Sequence, residues 1–187
     1  MVLGMDTGMM NLPGRRVALV LRVAALARPA RAAERSGLDR LTEATRALPE
    51  ISFNTAEGLT QGPSAFRGRA LLINLWATWC PPCVAEMPAL DRAAAALAGD
   101  GFVVLPLSSD RGGAAQVQAF YARTGVAHLP VLLDPRGIAA RVLGARGLPT
   151  TIIVNRAGEE VARLEGEAEW DSPAMLATLR RLVGPRT

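Results

Sequence analysis

Hydrophobic positions follow two alternating patterns along most of this chain. Short apolar runs alternate with segments in which apolar residues recur every three or four positions, and these patterns indicate strands and helices respectively. The predicted strands cover 48–54, 69–76, 102–107, 130–133, 150–154 and 160–164, and the predicted helices cover 81–98, 114–124, 137–143 and 172–183. This alternation predicts an α/β domain with a largely parallel central sheet.

The first 33 residues have the pattern of a weak export signal. Arg15-Arg16 precede a short apolar run over 17–27, and a small-x-small sequence follows at 30–32. Arg22 interrupts the run, which is shorter than the about 20 apolar residues that span a bilayer. We expect residues 1–33 to be an export leader, with a disordered start as the alternative.

The expected organisation has three parts. After the leader, residues 34–46 are predicted to be a linker or a short helix, and residues 47–187 are predicted to form one domain. If the leader acts in export, the protein is periplasmic or otherwise exported, and its N-terminus could hold it at the membrane. We expect the domain to be a monomer.

The positive charge of the chain is concentrated at its start. The 187 residues include 21 basic and 17 acidic side chains, for a net charge of +4. Up to residue 33 there are five arginines and one acid, so the remainder carries 16 side chains of each sign. The predicted domain is therefore neutral and has no basic stripe with interleaved aromatic residues, which argues against a nucleic-acid partner.

The two cysteines, Cys80 and Cys83, are separated only by Pro81 and Pro82. A disulfide that closes so short a loop constrains the unfolded chain little, so we expect a redox-active pair. Cys80 falls at the predicted start of a helix, where the dipole and unpaired N–H groups favour a thiolate. Because Pro82 has no N–H, the Cys83 amide is the expected donor to the Cys80 sulfur. These positions predict Cys80 as the nucleophile and Cys83 as the resolving thiol.

Other interpretations of a Cys-x-x-Cys pair are half of a zinc site and two buried structural thiols. Zinc requires two more ligands, but the chain has no third cysteine and a single histidine, His128. We therefore predict no metal site and no cofactor other than the Cys80–Cys83 disulfide. His128 is expected to be a loop residue without a role in the site.

The order of motifs resembles the thioredoxin fold and, within it, the exported TlpA/ResA-like thiol:disulfide oxidoreductases, with TlpA as the best match. Trp76 and Trp79 precede the dithiol, Pro88 follows it by five residues, and Gly-Leu-Pro-Thr-Thr occurs at 147–151. The resemblance covers about residues 47–185. It implies a thioredoxin-like α/β fold, in which helices flank a central mixed sheet and an extra strand and helix are inserted before the proline loop.

The resemblance also implies a substrate-binding surface. Leu148-Pro149 matches the cis-proline loop of the family, whose backbone faces the first cysteine, pairs with the substrate peptide and keeps metals from the dithiol. A cis X-Pro bond is infrequent and is normally kept for a reason. With the loop around the dithiol, the predicted substrate-binding residues are Trp79, Pro81, Pro82, Leu148 and Pro149.

Glu86 is a third predicted catalytic residue. Cytoplasmic thioredoxin has a buried Asp where this chain has Asn74, whereas TlpA/ResA-like proteins have a Glu three residues after the second cysteine. Glu86 matches that Glu, lies one helical turn from Cys83, and is expected to accept its proton. The alternative is a solvated carboxylate on the helix surface. Trp170, near the end of the domain, is expected to be a packing residue.

The function implied by the resemblance is reduction of client disulfides in the periplasm. The clients would be apocytochrome c or copper-site proteins of a haem–copper oxidase, and a membrane shuttle of the DsbD or CcdA kind would return the electrons. One alternative is a CcmG-like apocytochrome c reductant, although that class usually has Glu where this chain has Thr150. A Sco-like copper chaperone is disfavoured because it uses Cys-x-x-x-Cys and a distant histidine. Thiol peroxidases need Thr at the position of Ala77.

Overall fold

The protein is described by a computed structural model that covers residue 1 and residues 36–185. Eight strands in these residues form one sheet, in the order β1-β8-β7-β4-β5-β6-β2-β3. The strands are β1 (Leu41–Ala47), β2 (Phe53–Thr55), β3 (Thr60–Gln61), β4 (Ala70–Trp76), β5 (Phe102–Ser108), β6 (Leu132–Leu133), β7 (Thr150–Val154) and β8 (Glu159–Glu165). The α-helices are α1 (Pro81–Leu97), α2 (Gly113–Thr124), α3 (Ile138–Val142) and α4 (Pro173–Val183).

The centre of the sheet is β4, which is buried at all seven positions. It pairs in parallel with β5 and antiparallel with β7, and β5 continues in parallel with β6. The remaining pairings are antiparallel. The sheet is therefore mixed, as the resemblance implies, and its parallel part is limited to three strands.

Alternate residues of β4 belong to two different hydrophobic cores, because successive strand residues face opposite sides of a sheet. Leu72 and Trp76 pack in the core that includes residues of α1, α2 and α4, and this core also contains both cysteines. Leu71, Ile73 and Leu75 pack in the other core, beside α3. Truncating one such buried leucine to alanine costs about 2–5 kcal/mol of stability.

The predicted linker or short helix over 34–46 is wrong for residues 41–46, which belong to strand β1. This strand pairs antiparallel with β8, from Leu41 opposite Leu164 to Ala47 opposite Glu159. Its side chains are mostly exposed, so the sequence has no hydrophobic pattern there, and pairing with the edge of β8 decides the structure. The expectations for residues 34–35 and for the leader, apart from residue 1, lie outside the described residues.

Most other predicted elements are confirmed, with bounds that differ by at most two residues. Two predicted strands are shorter than expected: 48–54 is reduced to β2, and 130–133 is reduced to β6. Segment 109–149, between β5 and β7, contains α2, β6 and α3 and so includes the expected insertion. Among the described helices, none combines the length and the apolar character needed to cross a membrane.

Candidate active site

The dithiol lies at the start of α1, immediately after the loop that leaves β4. Cys80 is the N-cap residue, with extended backbone, and Pro81 occupies the first helical position. Cys80 and Cys83 form a disulfide, and their Cα atoms lie 5.3 Å apart. The amide of Cys83 donates to the Cys80 sulfur at 3.4 Å, which confirms the expected donor.

The two sulfur-bearing residues differ in accessibility. Cys80 is 5% exposed, whereas Cys83 is completely buried. Around them Trp79 is 65% exposed, and Pro81 and Pro82 are also at the surface. A protein substrate can therefore approach Cys80 across an exposed rim, whereas Cys83 faces the interior.

The Leu148-Pro149 bond is cis, as the resemblance implies. It directly precedes β7, whose first residue, Thr150, pairs with Leu75 near the end of β4. Because β4 leads into the dithiol loop, this register brings the cis-proline loop to the same end of the sheet. Leu148 is half-buried and packs against the core that contains both cysteines.

Glu86 is buried, with 3% of its surface exposed, so the alternative of a solvated carboxylate is wrong. Its Oε1 accepts a hydrogen bond from Asn74 Nδ2 at 2.9 Å. Its Oε2 accepts from Trp170 Nε1 at 2.7 Å and from the Ala168 amide at 3.1 Å. Both oxygens are thus held by neutral donors from two separate segments, β4 and the segment before α4.

Burial raises the pKa of Glu86 from 4.5 to about 7. Hydrogen bonds from Trp170, Asn74 and Ala168 stabilise the carboxylate and oppose this effect, while the negative charge of Glu167 adds to it. A carboxyl group with a pKa near neutrality can both accept and release a proton at physiological pH. Glu86 and Cys83 are three residues apart in α1, so they lie on the same side of the helix.

Trp170 also belongs to this site. The sequence predicts only a packing role for it, but its indole donates to Glu86. The pairing could have been inferred from chemistry, because a buried indole N–H normally finds an acceptor and a buried carboxylate needs donors. Asn74 also donates to Thr151 Oγ1 at 2.9 Å, which extends the network into β7.

A second polar network fixes the loop just before the dithiol. Asp110, completely buried, accepts hydrogen bonds from the amide and hydroxyl of Thr78 at 2.9 and 2.7 Å. Ser108 and Gln116 also donate to Asp110, and Gln116 donates to the Thr78 hydroxyl. These hydrogen bonds hold the loop in place, so the next residue, Trp79, is attached to a fixed part of the backbone. The sequence offered no signal for the link between Asp110 and the dithiol loop, because Thr78 lies 32 residues away in the chain.

The described residues contain no group of three or more His, Cys, Asp or Glu side chains that could hold a metal ion. His128 Nδ1 lies 2.9 Å from Asp91 Oδ2, and its amide donates to the other oxygen of that carboxylate. The histidine thus ties a loop to α1, eight residues beyond Cys83. Its ring contact is with Asp91 rather than with the dithiol.

Comparisons with known proteins agree with this geometry. The Redoxin family matches residues 43–179. Thioredoxin-like protein YneN of Bacillus subtilis is 34% identical over 111 residues, which cover 59% of this chain and 64% of YneN, just under two thirds of its length. Thiol-disulfide oxidoreductase ResA of Bacillus thuringiensis is 26% identical over 67% of this chain and 71% of ResA.

The structural comparison shows the same architecture in a solved protein. The pneumococcal exposed lipoprotein thioredoxin Etrx1 from Streptococcus pneumoniae has a TM-score of 0.60 and 30% sequence identity. The likeness covers 72% of this chain and all of the Etrx1 chain. The described domain therefore has the complete fold of that protein.

Proposed function

The chain belongs to the Redoxin family, among its TlpA/ResA-like thiol:disulfide oxidoreductases, and we propose that it reduces disulfide bonds of exported client proteins. The observation that carries this proposal is the asymmetry of the dithiol. Cys80 is at the helix start and partly accessible, whereas Cys83 is buried one turn inside. This asymmetry supports Cys80 as the attacking thiol and Cys83 as the resolving thiol.

The first step is an attack by the Cys80 thiolate on one sulfur of the client disulfide. A mixed disulfide forms between Cys80 and the client, and the second client sulfur leaves as a thiolate that takes up a proton. The helix start favours the attacking thiolate through its dipole and through the Cys83 amide. Exposed Trp79, Pro81 and Pro82 would contact the client, and the Leu148-Pro149 backbone would pair with its chain.

The second step releases the client. The Cys83 thiol loses its proton to Glu86, attacks the Cys80 sulfur and forms the Cys80–Cys83 disulfide, while the remaining client sulfur leaves as a thiolate. The two electrons of the dithiol now reside in the client, which has two thiols. Glu86 suits the role of acceptor because its carboxyl group has a pKa of about 7.

A reductive direction is supported by the donors at the helix start. Pro81 and Pro82 have no N–H, so two of the first three helical residues cannot donate to the Cys80 sulfur. A disulfide is strongly oxidising when its reduced form is stabilised, and a thiolate with few donors is stabilised weakly. The negative form of nearby Glu86 also disfavours a thiolate. Both features favour a reducing dithiol.

The location and partners are part of the same proposal. Etrx1 is an exposed lipoprotein thioredoxin, and the similarity to it supports an exported protein here. In an oxidising compartment the dithiol needs a membrane electron donor of the DsbD or CcdA type. The proposed clients are cysteine pairs of apocytochrome c or of copper-site proteins of an oxidase. A CcmG-like reductant of apocytochrome c remains the alternative, and Thr150 after the cis-proline favours the TlpA-like form.

The decisive experiment is an equilibrium of the full chain with glutathione buffers, followed by alkylation and mass measurement. A reductant should have a potential more negative than about −200 mV, in the range of thioredoxin and the glutaredoxins. A potential near about −120 mV, that of DsbA, would identify an oxidant and overturn the proposed direction. The Cys80→Ser variant is the control, because it cannot form the intramolecular disulfide.

A further inference from the structure

A groove with a volume of about 550 Å³ opens beside the exposed indole of Trp79. Its walls come from three separate parts of the chain: Trp79 in the dithiol loop, residues 109–111 with Gln116 after β5, and residues 135–137 before α3. Because Trp79 directly precedes Cys80, a polypeptide lying in this groove would pass next to the attacking sulfur.

The exposed charges of the groove are positive. Arg111 and Arg136 line it, and neither guanidinium takes part in an ion pair among the described residues. A third exposed arginine, Arg141, donates to the backbone oxygen of Arg136 at 2.8 Å. The carboxylate in the wall, Asp110, is buried and turned inward to its hydrogen-bond donors, including Gln116. An incoming chain therefore meets guanidinium groups rather than carboxylates.

Apolar surface continues from the groove along α3. Ile138 and Val142 are exposed, although large apolar side chains are usually buried. They are four residues apart, so they lie on one side of this helix, directly after the groove residue Gly137. Arginines bordered by exposed aromatic and aliphatic side chains are the composition typical of a surface that binds a polypeptide.

We propose that this groove binds a client segment that carries a carboxylate side chain beside its disulfide. The guanidiniums of Arg111 and Arg136 pair with the carboxylate, while Trp79 contacts the client chain next to its cysteine. Opposite charges at this position increase the rate of encounter and orient the client before sulfur attack. The inference rests on the proposed function, because it names the class of client that the dithiol prefers.

A hydrogen-bond network beneath the groove holds the loops that form its walls in fixed positions. Gln116 donates to both Thr78 and Asp110, and it accepts from the Gly112 amide at 3.1 Å. It therefore joins the dithiol loop to the loop that carries Arg111. Binding groups that are already in position lose little conformational freedom on association.

The test uses the reduced full chain and three disulfide-bonded peptides that differ only in two residues beside one cysteine: Asp, Asn or Lys. At low salt the Asp peptide should be reduced about three- to tenfold faster than the Asn peptide, and the Lys peptide should be slowest. High salt should bring the rates together. In the double variant Arg111→Gln, Arg136→Gln, the Asp-to-Asn rate ratio should fall close to one.

The control variant is Arg67→Gln, which removes one positive charge just before the opposite end of β4 and should keep the wild-type ratio. Equal rates for the three peptides in the wild-type chain would overturn the groove assignment while leaving the proposed function intact. A ratio that persists in the double variant, or that Arg67→Gln abolishes equally, would also overturn it. Failure to reduce any of the peptides would contradict the proposed function itself.

Discussion

The indole Nε1 of Trp170 donates a 2.7 Å hydrogen bond to Oε2 of Glu86, although 84 residues separate the two in the chain. The Ala168 amide, from the same segment before α4, donates to the same oxygen. The end of the domain therefore sets the electrostatic environment of a carboxyl group one helical turn from Cys83. Substitutions in this segment should therefore alter proton transfer at the dithiol, although they change neither cysteine.

We expect Trp170→Phe to raise the pKa of Glu86 above its value of about 7, because the carboxylate loses a hydrogen-bond donor while remaining buried. Infrared spectra of the carboxyl stretch, taken as a function of pH and with the Glu86→Gln spectrum subtracted, measure this pKa directly.

The matched control is Trp76→Phe. Trp76 is also fully buried, but its indole N–H has no hydrogen-bond partner among the described residues. Both substitutions leave a similar cavity, but only Trp170→Phe also removes a hydrogen bond to Glu86, so only it should shift the carboxyl titration. An unchanged titration in Trp170→Phe would show that the indole does not stabilise the carboxylate.

Glu86→Gln should fold normally because its amide can satisfy the network. Asn74 Oδ1 has no partner within the described part of the chain, so a turn of the Asn74 amide would present this oxygen to the new NH₂ group. With the charge removed, the pKa of the thiols should fall, since a like charge no longer opposes the thiolate. Without its base, the resolving step should slow by about a hundredfold, and mixed disulfides should persist.

Thiolate absorbance as a function of pH and rapid-quench kinetics with a model disulfide measure these two effects of Glu86→Gln. Glu50→Gln is the control, because it removes a carboxylate from an exposed position outside the site. Wild-type values for both properties would remove Glu86 from the mechanism and leave the Cys83 proton without a named acceptor.

Glu86 also predicts how the stability of the oxidised protein depends on pH. Its pKa is raised from 4.5 to about 7 in the folded state, so the folded protein keeps a proton that the unfolded chain releases. The favourable contribution is therefore complete below pH 4.5 and is lost as the pH rises to about 7, by about 3 kcal/mol. Urea unfolding at several pH values should show this loss in wild type relative to Glu86→Gln. Parallel curves for the two proteins would contradict the raised pKa.

The roles of the two thiols are directly testable. Cys80 should be alkylated first and at a lower pH than an ordinary thiol, because it stands at the helix start and is the accessible member of the pair. Cys83→Ser should accumulate mixed disulfides with clients, and Cys80→Ser should not. Peptide mapping after brief alkylation identifies the modified residue, and faster reaction of Cys83 would reverse the assignment.

We expect the reduced protein to retain neither copper nor zinc. The dithiol supplies two sulfur ligands, and His128, the single histidine of the chain, contacts Asp91 instead. Dialysis of the reduced chain with each metal against a mild chelator, followed by elemental analysis, should leave no stoichiometric metal. One copper per chain would support the copper-chaperone alternative.

The local features of this protein can be predicted from its amino-acid sequence. Hydrophobic periodicity located β4 and α1, because an apolar run and a helical repeat are properties of consecutive residues. The Cys-Pro-Pro-Cys spacing placed Cys80 at the helix start, and the order of motifs identified Leu148-Pro149 as a cis bond. These features depend on the identity, order and spacing of residues along the chain, which the sequence contains.

Tertiary structure alone decided the features that join distant residues. Strand β1 exists because its backbone pairs with β8, although its exposed side chains give no hydrophobic signal. Glu86 is buried because β4 and the segment before α4 close around it, and this burial sets its pKa. Arg111 and Arg136 share one groove only once the sheet brings their loops together. Burial and hydrogen bonding depend on distance in space, which a pattern along the chain does not contain.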